Sequence, residues 1–187
     1  FFSLVYCAIF LMGFTSEVSA QVVFRAASSA GLQVGSAGIS YVGQGGTDNA
    51  ASGNISPSLP TYQTGDLLLC VVESHDNVAH AITSGWNTLY SSSSGNGHRA
   101  SLFWRVAANT SVGNPTITHS GGNSIIGRCA AYRGVDQLTP FDVSVAVANS
   151  ASDFTIESGA LTTITNGAWV LFCLLYTSPS PRDLSTS

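Results

Sequence analysis

The sequence predicts an all-β protein, an antiparallel β-sandwich for which a jelly roll is one candidate topology. Three observations carry that prediction. Short apolar runs separated by Gly, Asn, Ser and Pro recur along the chain, several of them with a two-residue period. No stretch of ten or more residues carries a convincing apolar helical period. The composition is hydroxyl-rich, with 44 Ser and Thr and 19 Gly among 187 residues and only 9% charged, so outward positions are kept polar by hydroxyls more than by ions. A hydrophobic fraction of 44% is too high for a disordered chain, and the length suits one domain with a real core.

Residues 1–20 read as a secretory leader. An apolar run over 1–14 is followed by a polar break and by Val18-Ser19-Ala20 before Gln21, so cleavage is expected after Ala20. The run is short for a bilayer, which takes about 20 apolar residues. No second segment of spanning length follows, so no membrane span is expected in the mature chain. The fold is expected over 21–173. Its first strands are expected at 21–26 and 39–42, then, past a glycine-rich excursion over 43–60, at 67–72. That run, Leu67-Leu68-Leu69-Cys70-Val71-Val72, enters from the turn at Gly65-Asp66 and has the length and composition of a fully buried strand.

Segments 86–90 and 99–107 follow, joined by a serine run and Asn96-Gly97. In 99–107, Ala100, Leu102, Trp104 and Val106 share one face, and only that face is required to be core. Further strands are expected at 115–119, 124–132, 141–147, 154–158 and 169–173, the last so apolar that it reads as a central strand.

Chemistry-bearing residues are sparse. With Cys7 in the leader, Cys70, Cys129 and Cys173 remain, and Cys70 and Cys129 lie within apolar strands. They are either joined as a disulfide across the core or packed as buried thiols. His75, Asp76 and His80 form a polar segment, HDNVAH, directly after the buried strand. Such residues can bind a metal or move a proton, but two histidines five apart in a loop fix no geometry, so no metal site is expected. His98 and His119 read as surface residues at strand ends.

No GxSxG or HExxH motif is present, and no catalytic residue or cofactor is expected. Asp48-Asn49 and the pair Asp136 and Asp142 lack the EF-hand spacing for calcium. Trp86 and Tyr90 are the aromatic candidates for stacking a sugar ring, with core filling the competing use of Trp86 and Trp104. The 6 basic residues are all arginine against 10 Asp+Glu, a net charge of -4, which offers no track for a nucleic-acid backbone.

The series Ile39-Ser40-Tyr41-Val42-Gly43, Gly65-Asp66-Leu67-Leu68-Leu69, Gly85-Trp86, 100–105 and Ala131-Tyr132-Arg133-Gly134-Val135 resembles a family of uncharacterised jelly-roll-like β-sandwich domains. These domains occur in bacterial exported surface proteins and phage tail-associated proteins. The resemblance covers most of 21–173, implies fold and location, and transfers no catalytic residue. Residues 174–187, LLYTSPSPRDLSTS, resemble the translation of a sequencing adapter, so a disordered, non-native tail is expected there, with the native sequence departing from about residue 173.

The expected function is a non-enzymatic module of a secreted or cell-surface protein, acting in adhesion, glycan contact or spacing. Its partners would be a surface glycan or another extracellular protein, with further domains downstream. The competing reading is an accessory domain of a secreted carbohydrate hydrolase, or a weak hydrolase itself. Three outcomes separate these readings. Trp86 and Tyr90 exposed on one flat rim favour glycan contact, buried tryptophans and bland loops favour a spacer, and a pocket joining His75, Asp76 and His80 to a nucleophile favours the enzyme.

Overall fold

The computed structural model describes residues 17–24, 38–94, 97–143, 146–150, 162–165 and 168–175. Its strands, in chain order, are β1 (Glu17–Phe24), β2 (Ser40–Gln44), β3 (Asp48–Ala50), β4 (Leu67–Ser74), β5 (Ala81–Ile82), β6 (Asn87–Ser94), β7 (His98–Val106), β8 (Ile117–Thr118), β9 (Ile125–Arg133), β10 (Ala146–Ser150) and β11 (Trp169–Leu175). The protein is all-β, with two antiparallel sheets in contact as in a β-sandwich. The main sheet runs β2-β9-β4-β7-β6, and β3 follows β2 along the same side of β9. The second sheet runs β10-β1-β11, and β5 pairs with β8 in a short ribbon.

β4 lies at the centre because nothing in its first six residues needs water. Leu67 to Val72 are each at most 1% exposed. Alternation sends them to opposite faces of the sheet. Leu67, Leu69 and Val71 join Leu102, Ala130 and Tyr132 in one cluster, which also holds Leu171 of β11 and so connects the two sheets. Trp104 and Phe141 meet edge to face at its margin, ring centroids 5.1 Å apart. The opposite face carries Cys70, Val72, Phe103, Ile125 and Cys129, capped by Ile55 and Ile117, and beside them Leu68, Ala107 and Ala131.

Both faces of β7 are therefore core, where the alternation required only one. The extra cover comes from irregular segments. Ile55 bridges to Ile117, the Tyr62 hydroxyl donates to the Val112 carbonyl at 2.8 Å, and the Leu59 N–H donates to the Asn114 side chain at 3.0 Å. Cys70 and Cys129 are direct cross-strand partners between β4 and β9 and are joined as a disulfide.

The structure redraws several expected boundaries. β1 runs through the junction after Ala20, with Glu17 to Ala20 paired to Ser150 through Val147 of β10. The rest of the expected leader, 1–16, lies outside the described residues. β11 continues to Leu175, where Leu174 and Leu175 pair with Ser19 and Val18. Among the described residues it pairs on one side only, with β1, and so ends the sheet where a central strand was expected. Residues 154–158 and 176–187 lie outside the described residues.

In place of a strand over 141–147, β10 begins at Ala146. The Asp142 carboxylate, 6% exposed, accepts the N–H groups of Ile164 and Thr165, side chain to backbone bonding that competes with a ladder. Among the described residues no helix is long and apolar enough to cross a membrane.

Candidate functional site

The exit end of β4 gathers all four histidines of the chain, His75, His80, His98 and His119, around Glu73, Ser74 and Asp76. The pleat divides them between the two faces of the sheet. Glu73 follows Val71 on the face toward the second sheet and meets His98, which shares that face of β7 with Ala100. The Glu73 Oε1 and His98 Nδ1 atoms are 3.9 Å apart, and neither has a hydrogen-bond partner. The exposed His75 ring stacks on His98 with centroids 4.3 Å apart. Burial pushes the Glu73 carboxyl up to about 7, and burial, aided by His75, lowers the His98 imidazole.

Ser74 points to the other face and starts a closed chain of hydrogen bonds. Its hydroxyl meets His80 Nε2 at 2.8 Å, and His80 Nδ1 meets the Ser101 hydroxyl at 3.0 Å. Ser101 is linked to Ser91 at 3.0 Å, and Arg99 donates to both Ser91 and the Asn77 carbonyl. Burial, with the charges of His119 and Arg99, lowers His80 to about 4, so its imidazole is neutral near neutral pH. A neutral imidazole has one donor and one acceptor nitrogen. Serine hydroxyls satisfy both here, whichever way the protons point, so His80 keeps no lone pair for a metal or a substrate.

A second pair lies beside this chain. His119 Nε2 meets Asp76 Oδ1 at 2.9 Å, and the Val78 N–H donates to the same oxygen at 3.0 Å. Desolvation alone would raise the Asp76 carboxyl, but the His119 hydrogen bond, the Val78 N–H and the His119 charge together hold it below its ordinary value. Gly121 passes so close that a Cβ there would collide with the Asp76 carboxylate and the His119 ring.

The expected site residues thus separate. His75, Asp76 and His80 share one end of the sheet, but His80 is 7% exposed and its partners Ser74 and Ser101 are fully buried. Among the described residues, no group of three or more His, Cys, Asp or Glu is arranged to hold a metal ion. Trp86 and Tyr90 go to opposite faces. Trp86 packs beside the Phe103 and Leu68 clusters, while Tyr90, displaced by a bulge between Thr88 and Tyr90, pairs with Leu102 and packs on the other side. They form no common flat rim.

Ser74, Ser91, Arg99, Ser101 and His119 are network members that the sequence reading did not single out. His98 and His119, expected at the surface, are 4% and 3% exposed, because β4 and the loops at its end close over them. The one signal available was Ser101, a hydroxyl beside Phe103 on the face of β7 that the alternation did not require to be core. No known protein family, curated protein or solved structure matches the chain at a significant level.

Proposed function

We propose that the chain is a non-enzymatic β-sandwich module of an exported surface protein, and that it works by contact with a surface glycan. The observation that carries this reading is the inward closure of the polar network at the exit of β4. Ser74, His80, Ser101 and His119 hold the groups a hydrolase would need, yet at 0% to 7% exposure they bond to one another and to Asp76. A substrate needs a nucleophile and base within about 3 Å of its reacting atoms, and burial keeps one from these groups; the atoms left without a partner, His119 Nδ1 and Asp76 Oδ2, are themselves buried.

Export is supported by the leader pattern ending at Ala20 and by the Cys70–Cys129 disulfide, since such bonds persist in oxidising compartments. The glycan role is supported by Trp86 alone, since Tyr90 lies on the other face: Trp86 packs on the core yet stays partly exposed at the edge of the main sheet beside β6. Two assays test the reading together. Purified protein is expected to bind a subset of an arrayed glycan set and to release no product from chromogenic glycosides and esters. Turnover that disappears in His80→Gln would overturn the non-enzymatic reading.

A further inference from the structure

Four arginines lie among the described residues, and three have found oxygen partners. Arg133 makes a two-point contact with Asp66, Nε to Oδ1 at 2.9 Å and the second nitrogen to Oδ2 at 2.8 Å. Arg99 donates to Asn77 and Ser91, and Arg128 donates to the Gly45 carbonyl at 3.2 Å. Arg105 differs. Its guanidinium lies over the Trp86 ring, 5.9 Å from the centroid, and it has no hydrogen bond or ion pair with any described residue. Its Nε is buried without a partner, a state that in folded proteins calls for a missing acceptor.

Arg105 itself is partly exposed. Asn87 of β6 pairs with Trp104, which places Trp86 and Arg105 next in line on adjacent strands, and Thr88 pairs with Phe103 on the same face as Arg105. β6 is the end strand of the main sheet, so the patch lies at its open edge. Gly85 adopts φ +86°, a conformation that favours glycine, and its backbone passes within ordinary contact distance of the guanidinium.

We propose that Arg105, laid over Trp86 at the open edge of the main sheet, is a subsite for the carboxylate of an acidic saccharide. The inference rests on the glycan-contact reading above and narrows its substrate class. A guanidinium presents a planar fork that matches a carboxylate, and the indole ring it lies over holds that fork in place. The exposed Thr88 hydroxyl beside them is available to a ring hydroxyl. A single unpaired arginine among the described residues of a chain of net charge -4 suits one carboxylate on an otherwise neutral ring, whereas a densely charged polyanion would need a basic tract.

Calorimetry on the full chain with a trisaccharide bearing one galacturonate between neutral galactoses, its methyl ester and neutral galactotriose tests this. The acid is expected to bind about tenfold or more tightly than the ester or the neutral sugar, the size of one charge-assisted contact. Arg105→Gln is expected to erase that difference, and Arg105→Lys to restore part of it. The methyl ester needs no change in the protein, so the comparison holds even if the variants fold poorly. Equal binding of all three sugars would overturn the carboxylate subsite while leaving glycan contact intact. Binding of none would remove the glycan reading and the subsite with it.

Discussion

The two ends of β4 handle charge in opposite ways. At the entrance, Asp66 is 1% exposed but keeps its charge company. Arg133 grips both carboxylate oxygens from the end of β9, and the Gln63 N–H donates at 2.7 Å. At the exit, Glu73 is 3% exposed and has no such partner, so burial keeps its proton on. His80 sits among serines and is kept neutral by the same cause acting in reverse. One end therefore buries a carboxylate compensated by a partly exposed arginine, and the other buries ionisable groups in their uncharged forms. Only the second should make stability depend on pH near neutrality.

The largest expected effect tests what holds the two ends in register. Cys70 and Cys129 tie β4 to β9 midway between them and close a loop with a sequence separation of 59. Loop closure of that length predicts that Cys70→Ala with Cys129→Ala costs about 4 kcal/mol in denaturant unfolding. A loss below about 1 kcal/mol would mean that strand packing alone fixes the register.

Next come the exit groups, which pull in opposite directions. The unfolded chain takes up the His80 proton near 6.5 and the folded chain only at about 4, so His80 makes stability fall as pH drops through that window. Glu73 keeps its proton to about 7 when folded but loses it near 4.5 when unfolded, so stability falls as pH rises between those values. Each swing is about 3 kcal/mol. Because the windows overlap, the wild-type curve should be nearly flat across them. Glu73→Gln is expected to give stability that rises with pH, and His80→Gln stability that falls. Parallel curves for both variants would break the comparison.

The smallest effect belongs to the entrance. Arg133→Gln is expected to lower Tm, since the Asp66 side chain left behind is 2% exposed and loses its cation while Arg133 itself lies partly in solvent. An unchanged Tm would mean that the pair adds nothing to the fold.

Much of the main sheet was legible in the chain. The run from Leu67 to Val72, the alternation around Leu102 and the apolar segment ending at Tyr132 correspond to β4, β7 and β9. β3 and β5, three and two residues long, were not, because a period needs more residues than they have. The candidate site was legible only in part. HDNVAH marks where polar residues leave the buried strand, but the partners that close over His80 come from Ser101 on β7 and Ser91 on β6, and Asp76 finds His119 from 43 residues away. Arg105 and Trp86 illustrate the same limit. Arg105 reads alone as an ordinary strand residue and Trp86 as a stacking candidate or core filler, and only strand pairing sets the cation over the ring.

The sequence by itself determined the class of fold and its centre, because two-residue alternation, glycine and proline punctuation and an unbroken apolar run are local properties that survive in one dimension. It left open whether Cys70 and Cys129 bond, which faces are buried and which polar groups meet. Those depend on register and on cover by distant loops. A shift of one residue would exchange the faces of β4, and without the segments bearing Ile55 and Ile117 the second face of β7 would stand in water. Tertiary structure decided them because burial and pairing are properties of neighbours in space.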